Sequence, residues 1–74
     1  MLCEVIIRYD DGKEDRFLAK EPPEVPEGIK QPSNRMTEFP YTTPSGQRVS
    51  NYVRSTKVTS VVFNEVQEPP SPSL

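Results

Sequence analysis

Histidine and tryptophan are absent from these 74 residues, and cysteine occurs once. Without histidine the chain lacks the commonest metal ligand and the usual general base near neutral pH. A serine–histidine–carboxylate triad is excluded with it. The lone Cys3 excludes an intramolecular disulfide. The missing tryptophan removes one strong core anchor. Gly12, Gly28 and Gly46 stand far apart, so there is no glycine loop to cradle a phosphate. No run reaches the roughly 20 apolar residues that a membrane helix needs, and no membrane association is expected. The opening Met-Leu-Cys-Glu-Val-Ile-Ile-Arg lacks a basic n-region and carries Glu4, which argues against a secretory signal. With a single thiol, the expectation is a reducing, cytoplasmic setting.

Apolar residues are also few, at 32%, and mean hydropathy is −0.69. A chain this short forms one domain and buries only roughly 60% of its unfolded surface. Cores of that size usually need a staple. Disulfide and metal staples are not expected here, which leaves a protein partner or self-association.

What is present reads as β-structure. In residues 2–9, Cys3, Val5, Ile7 and Tyr9 recur at period two, with Leu2 and Ile6 on the other face. That pattern suits an interior strand. Asp10-Asp11-Gly12-Lys13 predicts a tight hairpin in which two central residues take positive φ. Residues 14–20 form the return strand, charged except near Phe17 and Leu18, as suits an edge. A third strand is predicted at 48–54 and a fourth at 58–66, with a short turn at Ser55-Thr56-Lys57. The two apolar strands belong at the centre. The fold expected is therefore mostly β: one small four-stranded sheet, antiparallel or mixed, in the order 2-1-4-3, with barrel-like curling as a variant.

Between strands two and three lies a proline-rich connection, residues 21–47. Pro22, Pro23, Pro26, Pro32, Pro40 and Pro44 break every helix that could start there. The expectation is an ordered extended wrap, pinned by Val25, Ile29, Met36, Phe39 and Tyr41. One helical turn is expected near 32–37 and a turn at Pro44-Ser45-Gly46-Gln47. The domain is taken as 1–67, followed by a disordered proline-rich tail, 68–74.

Each place that could hold chemistry also has a simpler reading. Asp10, Asp11, Glu14 and Asp15 surround a hairpin tip, where little burial is available to shift a carboxylate pKa, so they read as solvated turn residues. The same run lacks the alternating oxygen ligands of a calcium loop, and Lys13 intrudes. Cys3 falls on the apolar face of its strand and reads as an inert core thiol. Pro23-Glu24-Val25-Pro26 and Pro69-Pro70-Ser71-Pro72 are minimal polyproline patterns with no flanking arginine, and read as spacers. Neither a cofactor nor a catalytic residue is predicted.

Charge is more informative. Residues 1–30 hold eight acids and five bases, while 31–64 hold one acid, Glu38, against Arg35, Arg48, Arg54 and Lys57. The predicted third strand interleaves Arg48, Tyr52 and Arg54 on one face. Arginines around an aromatic suit an acidic protein partner, or phosphates and stacked bases of a single strand. The net charge of −2 disfavours a general nucleic-acid binder. The expected function is a non-enzymatic protein-interaction module, an inhibitor or accessory subunit of a larger assembly. Arg35, Phe39, Tyr41, Arg48, Tyr52, Arg54 and Lys57 are its candidate contacts. A small single-stranded nucleic-acid binder using the same face is the alternative.

Overall fold

The computed structural model describes residues 2–31 and 33–67. Five antiparallel strands form two sheets. They are β1 (Leu2–Tyr9), β2 (Glu14–Ala19), β3 (Met36–Thr42), β4 (Arg48–Arg54) and β5 (Val58–Val66). One sheet has the order β2-β1-β5, and the other is the β3-β4 hairpin. A single helical turn, α1 (Glu27–Lys30), precedes β3, and a 3-10 turn, Ser55–Lys57, joins β4 to β5.

β1 takes the central place its composition demands. Cys3, Val5 and Ile7 are buried on its inner face, and Ile6 is buried on the outer one. Its neighbours are the expected ones, with Val5 lying between Phe17 of β2 and Phe63 of β5. The expected order fails at the next step. The 48–54 strand does not lie beside the 58–66 strand but pairs along its whole length with 36–42. The single four-stranded sheet is thus replaced by two sheets, and no closed barrel forms. The connection 21–47 holds a full strand, and its helical turn falls at 27–30, earlier than the 32–37 expected. The proline-rich tail, 68–74, lies outside the described residues.

Both hairpins turn in the same way. Gly12 N–H donates to the Tyr9 carbonyl at 3.1 Å, and Tyr9 N–H donates to the Lys13 carbonyl at 2.9 Å. In the second hairpin Gly46 N–H donates to Thr43 at 2.8 Å and Thr43 N–H to Gln47 at 2.8 Å. Only the glycines have positive φ, at 86° and 94°. Each loop is therefore a three-residue type I turn closed by a glycine bulge, not the two-residue turn that Asp-Gly suggested. Pro44 sits at the second turn position, where its fixed φ fits.

The inner faces of the two sheets meet in one core of Cys3, Val5, Ile7, Ala19, Phe39 and Val53. Phe17 ties the layers together. Its ring meets Phe39 edge-on, with centroids 5.9 Å apart, and stacks on Tyr41 at 4.2 Å. Lys20 N–H reaches the Thr42 carbonyl at 2.8 Å and joins the end of β2 to that of β3. Ile29 of α1 packs against this core. Gly28 brings α1 so close to β3 that an added Cβ would lie 2.7 Å from Thr37 Cγ2.

Pro40 lies inside a strand without breaking it. Residues of an antiparallel pair alternate between bonding the neighbour and pointing away. Thr43 bonds Gln47, so 41, 39 and 37 face β4 and 42, 40 and 38 face away, in agreement with Thr42 accepting from Lys20. The missing N–H of Pro40 falls on the side where β4 needs no donor.

Candidate protein-binding face

With Phe39 and Val53 buried, the opposite face of the β3-β4 hairpin is the outer one. It carries Met36, Glu38, Pro40 and Thr42 from β3, and Arg48, Ser50, Tyr52 and Arg54 from β4. Register sets Arg54 across from Met36, Tyr52 from Glu38 and Arg48 from Thr42. Tyr52 is 61% exposed and Met36 53% exposed. Glu38 accepts a hydrogen bond from the Ser50 hydroxyl at 2.9 Å and a longer one from Tyr52 at 3.5 Å. Arg48 Nη1 donates to Thr42 Oγ1 at 3.3 Å.

The two sheets treat their charges differently. On the outer face of the three-stranded sheet, Arg16 lies 2.8 Å from Glu14 and 3.6 Å from Glu4, and Arg8 lies 3.5 Å from Glu14. The Arg16 hydrogen bond leads in holding the Glu14 carboxyl below its ordinary pKa. Lys57 pairs with Asp10 at 3.7 Å and Lys30 with Glu27 at 3.9 Å. Among the described residues no carboxylate lies within salt-bridge distance of Arg35, Arg48 or Arg54. Glu4 and Glu14 of the first hairpin are matched by its own arginines, and Asp10 by Lys57, whereas among the described residues the β4 arginines have no such partner.

The structure brings three of the seven predicted contact residues together: Arg48, Tyr52 and Arg54. Arg35 is exposed in the bend before β3. Lys57 sits at the 3-10 turn. It lines a hollow of about 340 Å³ with Tyr9, Asp10, Asp11 and Arg54. Phe39 is fully buried in the core, and Tyr41 is half-buried on the inner face against Phe17, so neither lies on the exposed face. Met36 and Glu38 were not singled out as contacts. Their place beside β4 follows only once residues 36–42 are read as a strand.

Elsewhere the described residues offer little machinery. They contain no group of three or more cysteines and carboxylates able to hold a metal ion. No helix among them is long and apolar enough to cross a membrane. Cys3 is 2% exposed, and burial raises its thiol pKa above the ordinary value. Comparison with protein-family models, curated proteins and solved structures finds no match.

Proposed function

We propose that this chain is a non-catalytic protein-interaction module, an inhibitor or accessory subunit, that docks an acidic protein on the outer face of β4. The observation that carries this reading is the set Arg48, Tyr52 and Arg54: one strand face, an exposed tyrosine, and two arginines with no carboxylate paired to them among the described residues. Tyrosine and arginine are the residues on which binding energy most often concentrates. Unpaired arginines also steer an acidic partner toward the face. The exposed side chain of Met36 widens the apolar part of that face.

A protein is favoured over a single-stranded nucleic acid. Glu38 sits between the two arginines, facing Tyr52, where it interrupts the row of positive charge that an evenly spaced phosphate backbone needs and competes for the tyrosine on which a base would stack. The formal charge of the whole chain is −2, opposite to the usual sign for such binders.

The test uses the whole chain as bait, with Arg54→Glu and Tyr52→Ala compared against Lys13→Glu at the far hairpin tip. The expected result is an acidic partner lost with the first two variants and retained with the third. Retention of every captured protein by Arg54→Glu overturns the reading. Oligonucleotide binding that weakens steeply with salt replaces it with the nucleic-acid alternative.

A further inference from the structure

Among the described residues two strands, β4 and β5, end the sheets with open edges, and only β4 is guarded. Exposed edges are normally protected by charge, proline, bulges or short length. β4 carries Arg48 and Arg54. β2, on the other border of the three-stranded sheet, carries Glu14, Asp15 and Arg16 and is joined to β3 through Lys20. β3 places Pro40 on its outward side. β5 has few such devices. It is the longest strand, with nine residues, Val-Thr-Ser-Val-Val-Phe-Asn-Glu-Val, and its one charge is Glu65. Its bulge lies at the far end, at Thr59.

The bonding pattern defines what that edge offers. Tyr9 bonds toward β2, so 7, 5 and 3 do the same, and 8, 6, 4 and 2 bond to 60, 62, 64 and 66 of β5. The N–H and C=O groups of Val61, Phe63 and Glu65 therefore point outward. The side chain of Phe63 is 38% exposed beside them.

We infer that β5 pairs with β5 of a second copy of this chain, antiparallel about a twofold axis at Val62. This register overlaps all nine residues. Val62 faces itself, Phe63 faces Val61, Asn64 faces Ser60, Glu65 faces Thr59 and Val66 faces Val58. Outward-bonding residues meet outward-bonding residues at 61 and 63 on both sides of the axis, so the ladder closes through its centre, and Glu65 meets the bulge at Thr59 at either end. No like charges oppose one another, and each exposed Phe63 gains an aromatic–β-branched contact. The same operation on β4 sets Arg48 against Arg54 and is repelled. The result is a continuous six-stranded sheet, β2-β1-β5-β5-β1-β2, which supplies the staple that so small a core lacks. This surface is distinct from the β4 outer face, so the two readings stand or fall separately.

Sedimentation equilibrium over a wide concentration range reads the association directly. The wild-type chain is expected to approach twice its 8.4 kDa mass. Val62→Lys opposes two ammonium groups on the axis and is expected to weaken association roughly tenfold or more. Val62→Glu does the same alone, and an equimolar mixture of the two variants is expected to associate again, which unfolded variants would not do. Mild oxidation of Val62→Cys is expected to give a covalent dimer, because that position alone faces itself. A wild-type chain that stays monomeric at millimolar concentration overturns the inference. So does a folded Val62→Cys variant that fails to cross-link.

Discussion

Ser55 and Ser33 hold each other in both directions across 22 positions of sequence. The Ser55 hydroxyl donates to the Ser33 carbonyl at 3.1 Å, and Ser33 N–H donates back to Ser55 Oγ at 3.1 Å. Ser55 is the one buried polar residue among those described. It begins the 3-10 turn after β4, so this pair fastens the segment between α1 and β3 to the corner between β4 and β5.

Removing that hydroxyl tests how far the corner depends on it. Ser55→Ala deletes two hydrogen bonds at once, but Ser33 is exposed and water can replace part of the loss. The expected cost is about 1–2 kcal/mol, the scale of a buried hydrogen bond with one partner left behind. In a chain of this size, each kcal/mol lowers the melting temperature by about 4–8 °C. Thermal unfolding followed by circular dichroism measures it. An unchanged melting temperature would show that the segment is held by packing of Ile29 alone.

Alkaline pH probes the other hairpin. The Tyr9 hydroxyl donates to Asp15 Oδ2 at 2.6 Å. Burial, then that bond, then the charges of Asp15 and Asp11 push its pKa well above the ordinary tyrosine value. The folded chain thus keeps the proton where the unfolded chain, titrating near 10, gives it up. Stability contributed by Tyr9 is complete below about pH 10 and is lost as pH rises above it. Urea midpoints are expected to fall between pH 9 and pH 11 by more in the wild type than in Tyr9→Phe. Equal falls in both would assign the alkaline sensitivity to other groups.

Most of the strand inventory was legible in the sequence, and the reason the rest was not is local. β1, β4 and β5 have the bounds that their alternation implies, and β2 is one residue shorter. Asp-Gly and Ser-Gly located both turns. The glycine in each supplies the bulge, but the loop length depends on hydrogen bonds that a dipeptide does not specify. β3 was hidden inside a segment read, for its prolines, as an extended wrap without regular structure, although Thr37, Phe39 and Tyr41 alternate toward the core around Pro40. That single omission moved β4 from the edge of one sheet into another. It also left Phe39 and Tyr41 among the surface candidates, when their hydrophobic faces fill the core. The Arg48-Tyr52-Arg54 face survived because its alternation is internal to β4 and independent of which strand lies beside it. What a strand pairs with is a non-local property, and period-two patterning says only which side is wet.

The position of the proline within β3 leads to a sharper expectation. Pro40 faces away from β4, so restoring its N–H adds a donor that water can satisfy and breaks no pairing. Pro40→Ala is expected to change stability by less than about 1 kcal/mol, the loss being mainly the stiffness that proline gives the unfolded chain. Tyr41 faces β4 through its backbone and stacks on Phe17 through its ring. Tyr41→Pro removes a ladder bond of about 0.5–1.5 kcal/mol. It also removes an aromatic contact of similar size, beyond the area it buries. With Pro40 retained, the strand would lose donors on both of its sides in succession. Urea titration of the two variants should place Pro40→Ala near the wild-type midpoint and Tyr41→Pro at a much lower one, or unfolded in water. Similar midpoints for the two would mean that β3 is not bonded to β4 through its odd-numbered residues. The arrangement of the outer face, with Tyr52 across from Glu38 and Arg54 across from Met36, would then have to be redrawn.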